Sequence, residues 1–276
     1  MTIQFKDKTR EEFVMRILAD LLQNNIQVAC FEIDKSGIYL RVMDRNKTIL
    51  IDVNLEAENF NIFRFKKSEK VSIGLNFSHF HKMLQTVKKN DSIEFYTDDE
   101  HPNEFFIKII PTDNNTTSTS TINILFNVQS SDIDLPGKYD NPVLVCAKDY
   151  QKMIKDMAKI DDTVLITSEG FQIKFACDAD GIMKKVVSYG EIDSDNEDDE
   201  DDNKLNSVYS EKFSSEQLTR ISKLSGFSSN IQIYSKENLP LLFKSHVGQL
   251  GHISIYIKSK EQIRQETEYS EDEQDY

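Results

Sequence analysis

The chain has 276 residues, 29% charged and 38% hydrophobic, with a formal net charge of −14. This length suffices for one large domain or for two ordinary domains with their own cores. No apolar run approaches the roughly 18 residues of a membrane span, and the polar stretch from Met1 to Arg10 lacks the apolar core of a signal peptide. Three widely spaced cysteines predict reduced thiols in an intracellular protein, not a disulfide framework or a zinc site.

The acidity is concentrated in two segments. Glu191 to Asn203 holds nine acidic residues and no basic one, and Glu261 to Tyr276 holds seven acidic residues and Arg264. Without them, 31 acidic and 32 basic residues remain. Both segments are too polar to fold alone, so we predict a disordered loop over 191–206 and a disordered tail over 261–276. The folded body is then nearly neutral, which leaves its lysines free to cluster.

The first half begins with a predicted helix from Thr9 to Asn24, whose apolar residues Phe13, Val14, Ile17, Leu18 and Leu21 recur at helical spacing. Alternating runs then predict strands, with Gly37 in the first turn. A second helix is predicted from Ser78 to Lys89. Further strands end with Thr121 to Val128, and the Pro- and Gly-containing stretch from 129 to 142 is typical of a linker.

The second half repeats this order. A helix is predicted from Ala147 to Asp161, and another begins near Ser214, where Ser214 and Gln217 form a capping-box pattern. The helix starts at Thr9 and Ala147 are 138 residues apart, which is half the chain length. We therefore predict an architectural duplication into domains 1–128 and 143–260, joined by 129–142, each with two helices covering one antiparallel sheet.

The helix that opens the second half carries a lysine stripe, which we define as Lys148, Lys152, Lys155 and Lys159. Their spacing puts all four on one face, within about 40° of one another, while Tyr150 and other apolar residues occupy the opposite face. Four like charges at helical spacing repel unless an anion offsets them. One interpretation is an ordinary solvated surface helix, and the other is a face directed at a polyanion. Basic residues also occur on the other predicted helices: Arg16, Lys82, Lys89, Arg220 and Lys223.

Several runs resemble the eukaryotic-type DNA sliding clamp family, proliferating cell nuclear antigen. These are 34–44 (DKSGIYLRVMD), 74–77 (GLNF) and 81–84 (HKML), 152–157 (KMIKDM) and 160–164 (IDDTV), Leu239-Pro240-Leu241, and Gly251-His252-Ile253 followed by Ile255-Tyr256-Ile257. The similarity is weak at each residue but ordered along about Phe31 to Lys260.

The resemblance implies an α+β fold of two similar clamp domains and a ring of three chains closed head to tail around duplex DNA, with helices lining the hole. It implies subunit contacts at about Thr121 to Val128 and Lys184 to Tyr189. Basic family positions correspond to Lys82, Lys152, Lys155 and Lys223, with Arg16 a loose match; the stripe adds Lys148 and Lys159. These lysines would contact phosphates without reading bases.

The resemblance also implies a pocket for a short partner peptide with one aliphatic and two aromatic anchors, such as a polymerase or a clamp loader would carry. The matching positions are Met43, Leu50, Ile133, Leu135, Pro136, Pro240 and Tyr256. The family's Ala-Pro-Lys after the last strand reads Lys258-Ser259-Lys260 here, and the linker is one residue shorter. Both differences affect the expected register of the peptide.

The sequence supports no catalytic site, metal site or cofactor. It has no Gly-rich phosphate loop, and no Ser/His/Asp or Cys/His set can be argued from spacing. The function that the resemblance implies is a homotrimeric clamp that acts as a polymerase processivity factor, in the nucleus or in a viral replication factory. The alternatives are a monomeric interaction protein with this fold and one subunit of a heterotrimeric checkpoint clamp.

Overall fold

The computed structural model describes residues 3–9, 12–112, 116–128, 133–190 and 209–272. Two compact units result: the first comprises Met1–Ile133, Gly226–Ser228 and Ser245–Ser254, and the second comprises the remainder of the chain. Thus two short segments predicted in the second domain belong to the first unit. The predicted acidic loop 191–206, linker residues 129–132 and tail residues 273–276 lie outside the described ranges.

The first unit has nine strands and two helices within the described residues. The strands are β1 (Ile3–Thr9), β2 (Val28–Ile33), β3 (Gly37–Met43), β4 (Ile49–Glu56), β5 (Ile62–Phe65), β6 (Val71–Asn76), β7 (Ser92–Asp98), β8 (Glu104–Ile110) and β9 (Ser118–Asn123), and the helices are α1 (Glu12–Asn25) and α2 (Phe77–Leu84). One antiparallel sheet has the order β5-β1-β7-β8-β9, and a second contains β4-β3-β2-β6. The predicted strand 121–128 is therefore displaced, because β9 ends at Asn123.

Aromatic rings build much of the core of the first unit. Phe80 on α2 lies 6.0 Å from Phe31 and 5.8 Å from Phe95, centroid to centroid. Edge-to-face and tilted rings at such distances contribute beyond their buried area. On α1, Leu18 and Leu21 are fully buried, but Phe13, predicted to point inward, is 46% exposed. It lies in the first turn of the helix, ahead of the buried stripe.

The β3 strand begins at a glycine because the chain passes close to its neighbour there. A Cβ atom on Gly37 would lie 2.1 Å from the carbonyl oxygen of Leu55, across the β3–β4 pair. Only glycine fits this approach. In the second unit the equivalent turn holds Gly170, whose φ of +56° is in the left-handed region. The turn at Gly37 was predicted from this glycine.

The second unit also packs helices on antiparallel strands. Its elements are β10 (Val143–Cys146), α3 (Ala147–Met157), β11 (Thr163–Glu169), β12 (Gln172–Ala179), β13 (Met183–Tyr189), β14 (Tyr209–Ser214), α4 (Ser215–Arg220), β15 (Asn230–Tyr234), β16 (Leu241–Val247), β17 (Gly251–Ile257) and α5 (Lys260–Asp272), although parts of β16 and β17 are assigned to the first unit. One sheet has the order β13-β12-β11-β14, and β15 pairs with β10 and β16. The predicted α+β class with two similar domains is confirmed.

Residues 260–272 form the helix α5, so the prediction of a disordered tail over 261–276 is wrong for this stretch. Its start is a reciprocal capping box: the Gln262 amide donates to Ser259 Oγ at 3.1 Å, and the Ser259 amide donates to Gln262 Oε1 at 2.9 Å. The pair satisfies two of the backbone donors that a helix start leaves open. Lys258 Nζ also lies 2.6 Å from Glu266 Oε2, which ties the helix to the end of β17.

Within the described ranges, no helix is both long enough and apolar enough to cross a membrane.

Candidate nucleic-acid and peptide interfaces

The buried face of α3 fixes its orientation in the second unit. Tyr150, Ile154 and Met157 are fully buried, and Met153 nearly so. The Tyr150 hydroxyl donates to the carbonyl oxygen of Leu218 on α4 at 3.1 Å. Burial strongly raises the pKa of Tyr150, so the phenol stays neutral. Because these contacts hold the buried side of α3 in place, the opposite side of the helix has a defined orientation.

Three lysines of the lysine stripe lie on that surface. Lys148, Lys152 and Lys155 are all exposed, and none has an ion pair within the described part of the chain. At 1.5 Å per residue, the stretch from Lys148 to Lys155 covers about 10 Å along the helix. The surface is thus a short cationic row, which suits a ligand with regularly spaced negative charge.

The fourth lysine differs from the prediction. Helix α3 ends at Met157, four residues before the predicted end at Asp161, and Lys159 lies in the following turn. Its Nζ lies 3.7 Å from Asp156 Oδ1. Asp156 is three residues before Lys159, so its carboxylate lies beside the last lysine of the stripe and offsets part of the positive charge there.

Asp156 also contacts β13. Lys185 Nζ donates to Asp156 Oδ2 at 3.2 Å. This hydrogen bond, with the positive charges of Lys185 and Lys159, lowers the pKa of Asp156. The aspartate therefore stays ionised and reduces the positive charge at the C-terminal end of the stripe.

Lys223 lies in a short 3₁₀ turn, Ser222–Gly226, that follows α4. Gln151 Nε2 on α3 donates to the Ser222 carbonyl oxygen at 3.1 Å, which joins this turn to α3. Lys223 is thus placed beside α3 and is half-buried. On α4 itself, Arg220 Nη2 lies 2.5 Å from Glu216 Oε1, one turn earlier.

The first unit holds the remaining predicted phosphate contacts. Lys82 is exposed on α2. Arg16 on α1 is half-buried, and its Nη1 donates to the Val87 carbonyl oxygen at 3.0 Å. Part of the guanidinium therefore serves to hold α1 to the segment after α2, and only its remaining N–H groups are available to an external anion.

Three of the residues predicted for the peptide pocket, Met43, Leu50 and Ile133, belong to the first unit. In the first unit, Met43 and Leu50 are directly paired across β3 and β4. Met43 is half-buried, whereas Leu50 is only 3% exposed and is mainly a core residue. Ile133 is half-buried, and its carbonyl oxygen accepts a hydrogen bond from Arg41 Nη1 at 3.0 Å.

In the second unit, Tyr139, which was not among the predicted site residues, contacts two of the remaining residues predicted for the pocket, Pro240 and Tyr256. Tyr139 Oη donates to the Pro240 carbonyl oxygen at 2.6 Å, and its ring lies 6.2 Å from that of Tyr256. Tyr234 lies at a similar distance on another side. Leu135 is exposed and Pro136 half-buried. The available signal for Tyr139 was that it is the one aromatic residue in the predicted linker 129–142.

The described residues contain no group of three or more His, Cys, Asp or Glu side chains that could hold a metal ion.

Comparisons with known proteins account for nearly the whole chain. The family model of the proliferating cell nuclear antigen N-terminal domain matches residues 4–134, and that of the C-terminal domain matches residues 135–260. A probable DNA polymerase sliding clamp of Paramecium bursaria Chlorella virus 1 is 26% identical over 264 residues, covering 92% of this chain and 96% of the relative.

Two further relatives are cellular. The proliferating cell nuclear antigen of Chaetomium thermophilum is 20% identical over 249 residues, covering 90% of this chain and 94% of the relative. The crystal structure of the antigen from Entamoeba histolytica superposes with a TM-score of 0.78 at 15% identity, covering 94% of this chain and all of the other. At that identity the superposition supports the fold.

Proposed function

Because the chain belongs to the proliferating cell nuclear antigen family and is a DNA sliding clamp rather than an enzyme, we propose that three copies close head to tail around duplex DNA. In this ring the helices α1 to α4 of each copy face the double helix. The phosphate contacts are Arg16, Lys82, Lys148, Lys152, Lys155, Lys159 and Lys223.

The exposed lysines of α3 carry this proposal. Lys148, Lys152 and Lys155 repeat along one rigid helix, so they can follow a row of phosphates. Ammonium groups at this spacing contact backbone oxygens and read no base edge. Binding is then independent of sequence and sensitive to salt, and a closed ring can slide. Lys159 contributes less because Asp156 offsets its charge.

Two edge strands support closure into a ring. Among the strands that the structure describes, β9 and β13 each end their sheet, so one side of each strand has no described pairing partner. Around β13, Ile182 is 90% exposed and Val186 is 52% exposed. Apolar side chains beside an open strand edge suit a heterologous contact, which forms a ring when its rotation closes after three copies.

The second proposed site binds a short peptide of a DNA polymerase, a clamp loader or another replication or repair protein. The residues proposed for it are Met43, Leu50, Ile133, Leu135, Pro136, Pro240 and Tyr256. Tyr139 positions the last two of these. Buried aromatic and aliphatic anchors carry most of the affinity of a small interface. The protein then acts where DNA is replicated, either in a nucleus or in a viral replication factory.

Light scattering coupled to size exclusion tests the ring directly. We expect three times the 31.9 kDa mass of one chain. A single chain mass at micromolar concentration would contradict the homotrimer and favour the monomeric or heterotrimeric alternative.

A second measurement tests encirclement. Clamps loaded on a linear duplex with blocked ends should be retained and should leave when one end is freed, because a topological link is lost only by sliding off. The double variant Lys152→Glu and Lys155→Glu should be retained poorly although it remains folded. The matched control is the double variant Lys35→Glu and Lys67→Glu, which reverses the charge of two exposed lysines in loops of the first unit. Equal retention of the two double variants would remove α3 from the proposed DNA contact.

A further inference from the structure

A polar cleft of the first unit runs over the strands β2, β3 and β4. Its volume is about 710 Å³, and its lining includes Glu32, Asp34, Arg41, Asp52, Lys70 and His252. The family likeness and the proposed function assign no role to this cleft. It contains three carboxylates and two permanent cations, so the pairing among them determines what the cleft can do.

The carboxylates have separate partners. Glu32 forms an ion pair with Lys70, and Asp34 accepts the Ser36 amide at 2.7 Å within the β2–β3 turn. Asp52 is bound by Arg41, whose Nε donates to Asp52 Oδ1 at 2.8 Å. Arg41 and Asp52 are opposite each other in the β3–β4 register. The local strand pairing therefore fixes the plane of the guanidinium.

The same guanidinium reaches the start of the connecting segment. Arg41 Nη1 donates to the Ile133 carbonyl oxygen at 3.0 Å. This bond joins residues 92 positions apart in the chain. A guanidinium has donors in a rigid planar fork, so one edge can be fixed by a carboxylate while another N–H points at a carbonyl. A lysine ammonium on a flexible stem would not hold both partners in one plane.

We infer that Arg41, held by Asp52, is a positioning residue that fixes the start of the connecting segment at Ile133, and thereby the peptide site. The inference rests on the proposed peptide-binding function, because Ile133 and the following Leu135 belong to that site. An ordered segment loses less conformational freedom when a peptide binds, so the contact raises peptide affinity by preorganisation.

The expected effect is modest. The Arg41 side chain is 39% exposed and that of Asp52 is 17% exposed. A partly exposed ion pair with one additional hydrogen bond corresponds to about a two- to fivefold change in affinity. Loss of the contact should also speed amide hydrogen exchange in residues 134–138, which follow Ile133 directly.

The experiment compares three variants of the full-length protein. Arg41→Gln removes the guanidinium. Asp52→Asn keeps the shape of the side chain that Arg41 contacts but removes its negative charge. Arg45→Gln is the matched control, since Arg45 is exposed in the turn after β3 and makes no ion pair among the described residues. Each variant is measured by hydrogen exchange at 134–138 and by its affinity for a synthetic peptide with one leucine and two phenylalanines as anchors.

We expect faster exchange and about two- to fivefold weaker peptide binding for Arg41→Gln, a smaller change for Asp52→Asn, and neither change for Arg45→Gln. Unchanged exchange in Arg41→Gln, or equal effects in Arg41→Gln and Arg45→Gln, would overturn the inference. If the wild type fails to bind the peptide, the proposed peptide site is refuted, while the exchange measurement still decides whether Arg41 orders the segment.

Discussion

Asp156 Oδ1 lies 3.7 Å from Lys159 Nζ, so the last lysine of the lysine stripe already has an anionic partner within its own chain. The same carboxylate accepts a hydrogen bond from Lys185 on β13. The four lysines therefore differ in the positive charge that is available to a phosphate, although their spacing in the sequence is regular.

This difference can be measured from the salt dependence of DNA binding. Each lysine that contacts a phosphate contributes about 0.9 to the slope of log K against log salt concentration. We expect Lys155→Gln to reduce the slope by a value near this, and Lys159→Gln to reduce it by less than half as much. Titrations with duplex DNA from low to physiological salt provide the comparison. Equal reductions would mean that Asp156 releases Lys159 when DNA binds.

The proposed ring contact predicts the effect of a charge on β13. Val186 is 52% exposed on this edge strand. In Val186→Glu a carboxylate would be buried in the subunit contact without a partner, at a cost of several kcal/mol. We expect the trimer to dissociate while the melting temperature of the separated chain changes little. Light scattering measures the mass, and Asn46→Glu, in an exposed turn, is the control for added charge.

The capping box of α5 predicts a local loss of stability. Ser259→Ala removes the acceptor for the Gln262 amide and should destabilise the helix by about 1 kcal/mol. We expect faster hydrogen exchange across 260–268 with the rest of the second unit unaffected. Gln262→Glu retains the capping-box pattern and places a negative charge in the first turn, where it is favourable, so this variant should exchange no faster than the wild type. A similar increase in both variants would refute the role of the cap.

Buried tyrosines predict alkaline instability of the second unit. Burial raises the pKa of Tyr150 well above its usual value and that of Tyr189 to about 12. The folded state therefore keeps these protons after the unfolded chain begins to lose them near pH 10. The stabilisation is complete below about pH 10 and is lost as pH rises through the folded pKa values. The fully buried Tyr150 contributes about 1.4 kcal/mol of lost stability per pH unit in that window, and the half-buried Tyr189 contributes less because solvent screens its charge.

Denaturant unfolding of the wild type and Tyr150→Phe at intervals between pH 9 and 11.5 tests this expectation. As the pH rises, the free energy of unfolding of the variant should fall less steeply than that of the wild type. The difference in slope should be about the contribution of one buried tyrosine. At pH 9 it should lie within about 1.5 kcal/mol of the wild type, because only the hydrogen bond to Leu218 is missing. Identical pH slopes would show that Tyr150 does not limit alkaline stability.

Periodicity identified α3 because both its faces are explicit in the sequence. Tyr150, Ile154 and Met157 recur at helical spacing, and the structure buries all three. Its end was misplaced because the lysine spacing continues to Lys159 although the hydrogen-bonded helix stops at Met157. Side-chain periodicity specifies a face, whereas the helix end depends on backbone contacts that follow it.

Two elements were missed for a common reason, which is that their composition is polar. β1 forms because it pairs with β5 on one side and β7 on the other, and such distant contacts leave no local pattern. α5 did leave a signal, the Ser259 and Gln262 spacing, but the surrounding acidic residues suggested disorder. Similarly, the contact from Arg41 to Ile133 depends on the folded sheet and has no sequence signature.

Helix α5 also determines the position of any tag that is fused after its C-terminal end. A helix rises 1.5 Å per residue, so the 13 residues from Lys260 to Asp272 extend about 20 Å from its first turn. A fluorescent protein or affinity tag fused after α5 would begin near the C-terminal end of the helix, away from Ser259. Labels at that position should leave the last strand accessible, and energy transfer to them should report the helix direction.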